Sequence, residues 1–158
     1  INSIRSILPD CGISHDMIAG FPSETEQDHQ DTSDLLDYVK YDYGFMYSYS
    51  ERPGTMAAKK IKDDVPEKIK QRRLSEIISK QREHSNFRTL QNIGKTVCVL
   101  IEKVSKKSKI QWSGKTAKNT VVVFPKEHYH IGDFVDVKIE KCTSATLIGN
   151  AVGYSKSV

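Results

Sequence analysis

A long helix predicted over residues 65–92 constrains the chain most, because the sequence changes character on either side of it. Asp63 or Asp64 followed by Pro66 is typical of a helix start, since a carboxylate accepts from free N–H groups and proline fits the first turn. Gly94 is typical of a helix end. We therefore predict an α/β segment, a connecting helix and an all-β segment.

The apolar side chains of this helix point in two directions. Ile69, Leu74, Ile77 and Ile78 form one arc, whereas Phe87 and Leu90 fall on a rotated face. We expect the helix to be a connector between two bodies. RNA binding is then a secondary role for its basic residues Lys68, Lys70, Arg72 and Arg73.

The segment before the helix has a β-α-β pattern. A buried strand is predicted over Ile13–Phe21, and a second, aromatic strand over Tyr43–Tyr49. Thr25 and Asp28 predict a capping box at the start of the helix between them. This order implies parallel strands with a crossover helix, and functional groups at the carboxyl ends of the strands.

The segment after the helix follows a strand pattern. Strands are predicted over residues 96–102, 121–124, 134–139 and 145–152, with a further short strand beside Gly114. Four or five short strands over this length indicate a small closed antiparallel barrel, which hides its strand edges.

Charge is distributed unevenly along the chain. Residues 1–57 carry three basic and ten acidic side chains, whereas residues 91–158 carry eleven basic and five acidic ones. The basic carboxy-terminal part predicts a polyanionic partner, although surface lysines can also serve only to keep a protein soluble. No apolar run reaches the roughly 20 residues of a membrane span, and we expect a cytoplasmic protein with no membrane partner.

Several catalytic and metal-binding classes lack support in the sequence. It contains no phosphate loop, no HExxH and no Ser-His-Asp order. Cys11, Cys98 and Cys142 have no CxxC spacing and are expected to be reduced, partly buried thiols. His128 and His130 have no further ligands nearby, so we expect no metal site.

Two loops that follow the predicted parallel strands are candidate ligand sites. The first, Gly20–Thr25, joins a strand end to a helix N-terminus, which can attract an anion or can simply be a connection. The second, Tyr47–Thr55, places tyrosines beside Arg52. Those side chains could bind a base or a phosphate, or could pack the α/β layer.

The third candidate site is a lysine-rich surface of the barrel. Lysines on an extended loop neutralise phosphates. Trp112 could stack on an unpaired base or could fill the barrel core. The predicted RNA-binding residues are Arg52, Lys103, Lys106, Lys107, Lys109, Trp112, Lys115, Lys118 and Asn119.

Motifs spread over nearly the whole chain resemble the radical S-adenosylmethionine methylthiotransferases. In the first two thirds they are Gly20–Thr25, Tyr49–Thr55 and Val65–Glu67. The barrel is similar to a TRAM domain, an OB-like RNA-binding module, through Ile93–Thr96, Asn119–Phe124, Ile131–Val135 and Ser144–Gly149. The Arg52–Thr55 stretch resembles the tRNA-modifying branch rather than the ribosomal-protein-modifying branch.

The resemblance implies an enzyme that modifies tRNA. It would add a methylthio group to carbon 2 of an isopentenylated adenosine beside the anticodon, acting on the anticodon arm as a monomer. It would use S-adenosylmethionine and two 4Fe-4S clusters, with a sulfur donor that the sequence does not identify. The alternatives are a ribosomal-protein methylthiotransferase and a non-enzymatic RNA-binding module.

The family's cluster-binding CxxxCxxC motif is absent, and the chain starts at Ile1 rather than Met. We therefore expect a carboxy-terminal fragment that is inactive alone and holds no cluster. The resemblance divides it into residues 1–62 from a radical-SAM partial TIM-like barrel, the helix 63–92 and the TRAM domain 93–154. It places Ile18, Gly20, Phe21, Tyr47, Ser48 and Tyr49 at the S-adenosylmethionine site.

Overall fold

A computed structural model describes residues 1–156, which form two compact units. One is Ile13–His84, and the other joins Ile1–Gly12 to residues 85–156. The elements in chain order are α1 (Asn2–Ile7), β1 (Ser14–Ala19), α2 (Glu26–Val39), β2 (Tyr43–Ser48), α3 (Met56–Lys60), α4 (Glu67–Leu90), β3 (Thr96–Val104), β4 (Gln111–Lys115), β5 (Val121–Pro125), β6 (Phe134–Cys142) and β7 (Thr146–Tyr154). The division between the units lies within α4. The predicted ranges 1–62, 63–92 and 93–154 remain a proposal for the domain limits.

The unit Ile13–His84 has the predicted β-α-β order. Strands β1 and β2 pair in parallel, with Ile18 opposite Tyr47. Alternate side chains of the two strands, including Met17 and Met46, pack with α2 and α4. The two-stranded sheet is therefore covered by helices on one face. Both strands end slightly earlier than predicted.

Helix α2 begins with the predicted capping box. The Thr25 side chain accepts a hydrogen bond from the Asp28 N–H, and the Asp28 carboxylate accepts one from the Thr25 N–H at 2.8 Å. These bonds satisfy N–H groups that a helix start leaves free. The hydrogen bonds that the Thr25 hydroxyl and the Thr25 N–H donate to the Asp28 carboxylate lower the pKa of Asp28. The local sequence signal therefore fixed this helix start correctly.

The side of α4 that packs in the unit Ile13–His84 is largely polar. The apolar arc predicted for this helix supplies one fully buried residue, Ile77. The other buried side chains are Lys70, Arg73, Gln81 and His84, spaced at three or four residues like a helix face. Phe87 and Leu90, predicted to pack on a second body, are exposed within their own unit.

Acidic partners compensate the buried charges of α4. Arg73 donates to Glu24 and Glu26, and Lys70 donates to Asp63 at 2.5 Å. Asp64 accepts from the Ser23 N–H. Both aspartates that were predicted to cap α4 therefore bond other groups.

The ion pairs of α4 also lower the pKa values of three carboxyl groups. Hydrogen bonds from Arg72 and Arg73 lower the pKa of Glu26 to about 2. Lys80 and His84 lower the pKa of Asp37, and His29 and Arg72 lower that of Glu76. Because α4 uses Lys70, Arg72 and Arg73 in these pairs, they do not form a free basic face for RNA.

The second unit contains a closed five-stranded barrel, as predicted, with strand order β3-β4-β5-β7-β6. Its core includes Val99, Ile101, Val122, Phe124 and Leu147. Four of the five strand pairs are antiparallel, whereas β5 and β7 pair in parallel. The wholly antiparallel barrel predicted from sequence needs this correction, because closing five strands brings β7 beside β5.

One of the three cysteines is more exposed than predicted. Cys98 and Cys142 are half-buried, as expected, but Cys11 is exposed. It lies in the turn after α1, where the side chain has little to pack against.

Candidate nucleic-acid interface

Three barrel strands align a set of outward-facing side chains. Ser113 on β4 lies opposite Val123 on β5, which lies opposite Ile148 on β7. At the other end of β5, Val121 lies opposite Lys115 and Thr146. Their chain neighbours are in the core, so strand alternation places these side chains on the outside.

A cavity of about 360 Å³ lies over this outer surface. Val121, Val123 and Ile148 are apolar and half-buried there. The remaining lining residues are Glu102, Lys103, Ser105, Lys106, Lys107, Gln111, Ser113, Gly114, Lys115, Thr143 and Thr146. We call this the barrel pocket.

Positive charge surrounds the barrel pocket. Lys103, Lys106, Lys107 and Lys115 line it, together with Glu102 as the single acidic residue among the described lining residues. Within residues 1–156, none of these four lysines forms an ion pair. The four ammonium groups are therefore available to bind an anion.

The structure does not place all predicted RNA-binding residues at this pocket. Lys109 and Lys118 do not line it, and Lys118 Nζ lies 3.5 Å from the Asp10 carboxylate, with which it forms an ion pair. Asn119 has a positive φ of 60°, so it has a structural role in the turn between β4 and β5. Arg52 is exposed in the other unit.

The position of Trp112 does not agree with the prediction that this side chain stacks on an RNA base. Its side chain is 5% exposed and packs in the barrel core, where the ammonium group of Lys126 lies 4.5 Å from the ring centre. An RNA base cannot stack on a ring that is enclosed in this way. The core alternative left open by the sequence is therefore correct for Trp112.

The residues predicted to bind S-adenosylmethionine lie around the carboxyl ends of β1 and β2. Ile18 and Tyr47 are register partners on the sheet face not covered by α2 and α4, and they are 55% and 58% exposed. The Phe21 ring contacts the Tyr49 ring edge-on at 5.2 Å, and Ser48 is half-buried. Exposed apolar side chains at strand ends are suited to packing against an adenine ring.

Gly20 has a packing role that the sequence did not predict. A Cβ atom there would lie 2.3 Å from Lys70 Cγ, and its φ of 73° also favours glycine. Glu24 accepts hydrogen bonds from the N–H groups of Gly20 and Phe21 and pairs with Arg73. These contacts occupy the side of Gly20 that faces α4. The Tyr49 N–H is also occupied, because it donates to Ala19.

The described residues do not fit an iron-sulfur cluster. Among residues 1–156, no three His, Cys, Asp or Glu side chains are grouped as a metal site. None of the helices in this part of the chain is both long and apolar enough to cross a membrane.

Sequence comparison identifies the barrel. The pattern of the TRAM domain matches residues 90–152, which include strands β3 to β6 and most of β7. This match lies close to the predicted range 93–154 and confirms the predicted kind of domain.

Comparison with curated proteins extends the similarity to nearly the whole chain. It is 63% identical over 98% of its length to a tRNA-2-methylthio-N(6)-dimethylallyladenosine synthase from Flavobacterium johnsoniae. The chain is therefore similar to one part of such a synthase. Identities to the synthases of Christiangramia forsetii and Amoebophilus asiaticus are 61% and 55%, over 98% and 94% of the chain. The chain spans about a third of these relatives, 32%, 32% and 31% respectively.

The apolar surface of the barrel pocket was not predicted from the sequence. Val121 and Val123 lie in an apolar run, residues 121–124, for which only a strand was predicted. An uninterrupted apolar run is, however, a signal that both faces of a strand have something to contact. Ile148 and Thr146 could not be added from sequence, because the parallel pairing of β5 with β7 brings them there.

Proposed function

We propose that this chain is part of a cytoplasmic, monomeric tRNA methylthiotransferase and that its barrel holds the tRNA. The whole enzyme adds a methylthio group to carbon 2 of N6-dimethylallyladenosine in the anticodon arm. The observation that carries this proposal is the similarity to the named synthases over nearly the whole chain. The four unpaired lysines of the barrel pocket support the RNA-binding role.

S-adenosylmethionine and two 4Fe-4S clusters belong to the proposed whole enzyme. Ile18, Phe21 and Tyr47 would contact the adenine of S-adenosylmethionine, and Ser48 would lie beside its edge. When bound, this cofactor would supply the methyl group and a radical precursor. The cluster ligands would come from a part of the enzyme outside this chain, so we expect the chain alone to be inactive.

The activity is tested on the whole gene. Deletion of the gene should remove the methylthio group from the tRNA adenosine. Mass spectrometry of tRNA hydrolysates should then detect N6-dimethylallyladenosine instead of the methylthiolated nucleoside. Complementation with the full-length gene is the control and should restore the modified nucleoside. Unchanged methylthiolated adenosine in the deletion strain would contradict the proposed activity.

The RNA-binding role is tested on this chain with fluorescence anisotropy. Lys106→Glu/Lys107→Glu changes two pocket lysines, and Lys95→Glu/Lys138→Glu is a control with the same change in charge outside the pocket. We expect the first pair to weaken tRNA binding at least about tenfold and the control to have a smaller effect. The slope of log affinity against log salt should become shallower by about 0.7–0.9 for each phosphate that the variant no longer neutralises. Equal effects of both pairs would contradict a role specific to the pocket.

A further inference from the structure

The barrel pocket has an apolar surface where the outside of a small barrel is usually polar. Val121, Val123 and Ile148 come from two neighbouring strands and form a continuous patch through the register β5 to β7. Binding phosphates does not require such a patch, because lysines on a polar surface are sufficient. The patch therefore indicates that a ligand has an apolar part as well as a negative charge.

The walls of the pocket complete a site with two chemical parts. Lys106 and Lys107, in the loop between β3 and β4, line it together with Thr143, in the loop between β6 and β7. Gln111 and Ser113 add polar groups that can donate and accept hydrogen bonds. A flat ring could lie on the valines and isoleucine while its attached phosphates reach the lysines.

We propose that the barrel pocket binds one unpaired RNA nucleotide, with the base on Val121, Val123 and Ile148 and the flanking phosphates at the pocket lysines. This proposal rests on the proposed binding of tRNA by the barrel. The volume of the barrel pocket, about 360 Å³, lies within the range of roughly 300–1,000 Å³ typical of small-ligand pockets. A base within a duplex cannot enter, because pairing and stacking cover its faces and edges.

The contact surface determines what kind of selectivity to expect. Among the described lining residues there is no aromatic ring, so the base would pack on aliphatic side chains. Such packing distinguishes unpaired from paired nucleotides without requiring a particular base.

The test compares two RNA probes on the whole chain by fluorescence anisotropy. One is a stem-loop with unpaired loop nucleotides, and the other is a blunt duplex with the same number of phosphates. We expect the stem-loop to bind roughly five- to tenfold tighter than the duplex, because packing of one base adds about that much affinity. Equal affinities would overturn the pocket proposal, whereas binding of neither probe would overturn the proposed RNA-binding function as well.

Two variants separate base packing from phosphate binding. Val123→Trp fills the pocket and should remove most of the preference for the stem-loop, leaving duplex affinity unchanged. Lys106→Ala/Lys107→Ala should weaken binding of both probes by the same factor. The matched control is Val152→Trp, which adds the same side chain at an exposed position of β7 outside the pocket and should change neither affinity.

Circular dichroism first establishes that Val123→Trp is folded. If the folded variant keeps the full stem-loop preference, the proposal is wrong. A measurement on the unaltered chain is independent of this variant: 4-thiouridine in the loop is crosslinked by ultraviolet light and located by mass spectrometry. Adducts at residues 121–123 or 146–148 support the pocket, and adducts confined to other residues overturn it.

Discussion

At the scale of single residues, two residues that were expected to meet a ligand have packing roles in the structure. Trp112 is enclosed in the barrel core, and Gly20 leaves the space through which Lys70 passes. Tryptophan beside lysines is typical of RNA-binding surfaces, and glycine at a strand end is typical of cofactor loops. The same residues also suit a core and a close approach between elements, and only three-dimensional neighbours distinguish those roles.

We predict that Trp112 substitutions change stability rather than RNA affinity. Trp112→Ala should lower the free energy of unfolding by about 3–5 kcal/mol, because it empties a large core volume. Trp112→Phe should lower it less. It keeps an aromatic ring and removes an indole N–H that has no hydrogen-bond partner among the described residues. Urea denaturation measures both effects.

The affinity of Trp112→Phe for tRNA provides the decisive comparison. It should stay within about twofold of the unaltered chain, since a buried ring makes no contact with RNA. A large loss of affinity with little loss of stability would mean that the ring does reach RNA.

At the scale of elements, the strands were more predictable than the contacts of α4. Val97, Val99 and Ile101 alternate as one face of β3, and that face is in the barrel core or packs against it. On α4 the buried stripe consists mainly of charged and polar side chains, so hydrophobic periodicity did not reveal it. Their acidic partners are mostly distant in sequence and are brought close only by folding.

The neighbours Arg72 and Arg73 test how α4 is held in the unit Ile13–His84. Arg73 is 4% exposed and donates to Glu24 and Glu26, whereas the Arg72 side chain is 41% exposed. Arg73→Met should lower the free energy of unfolding by about 3–5 kcal/mol, because it leaves the half-buried Glu24 without its cation. Arg72→Met should lower it by at most about 1 kcal/mol, because solvent screens an exposed pair.

Urea denaturation followed by circular dichroism compares these two variants under identical conditions. Equal losses of stability in the two variants would show that burial of the Arg73 ion pair adds nothing to the free energy of unfolding. The double variant Arg73→Met/Glu24→Leu should recover part of the loss, because it removes the unpaired carboxylate as well as the guanidinium.

At the scale of the whole chain, the charge distribution predicted a polyanionic partner but could not indicate which lysines would bind it. Lys59, Lys60, Lys62 and Lys68 precede the barrel, and a net charge treats them like those of the barrel pocket. The structure separates three groups: pocket lysines, exposed lysines elsewhere, and the buried Lys70 paired with Asp63. Each group has a different expected response to tRNA.

Lysine footprinting on the whole chain measures all three responses in one experiment. Acetylation is followed by mass spectrometry with and without tRNA. Lys103, Lys106, Lys107 and Lys115 should react readily alone and be protected several-fold by tRNA, because phosphates cover their ammonium groups. Lys138, an exposed barrel lysine outside the pocket, should change little, and Lys70 should react slowly in both conditions. If protection is concentrated instead on Lys59, Lys60, Lys62 and Lys68, then the segment around α3 and the start of α4 binds the tRNA, and the barrel pocket does not.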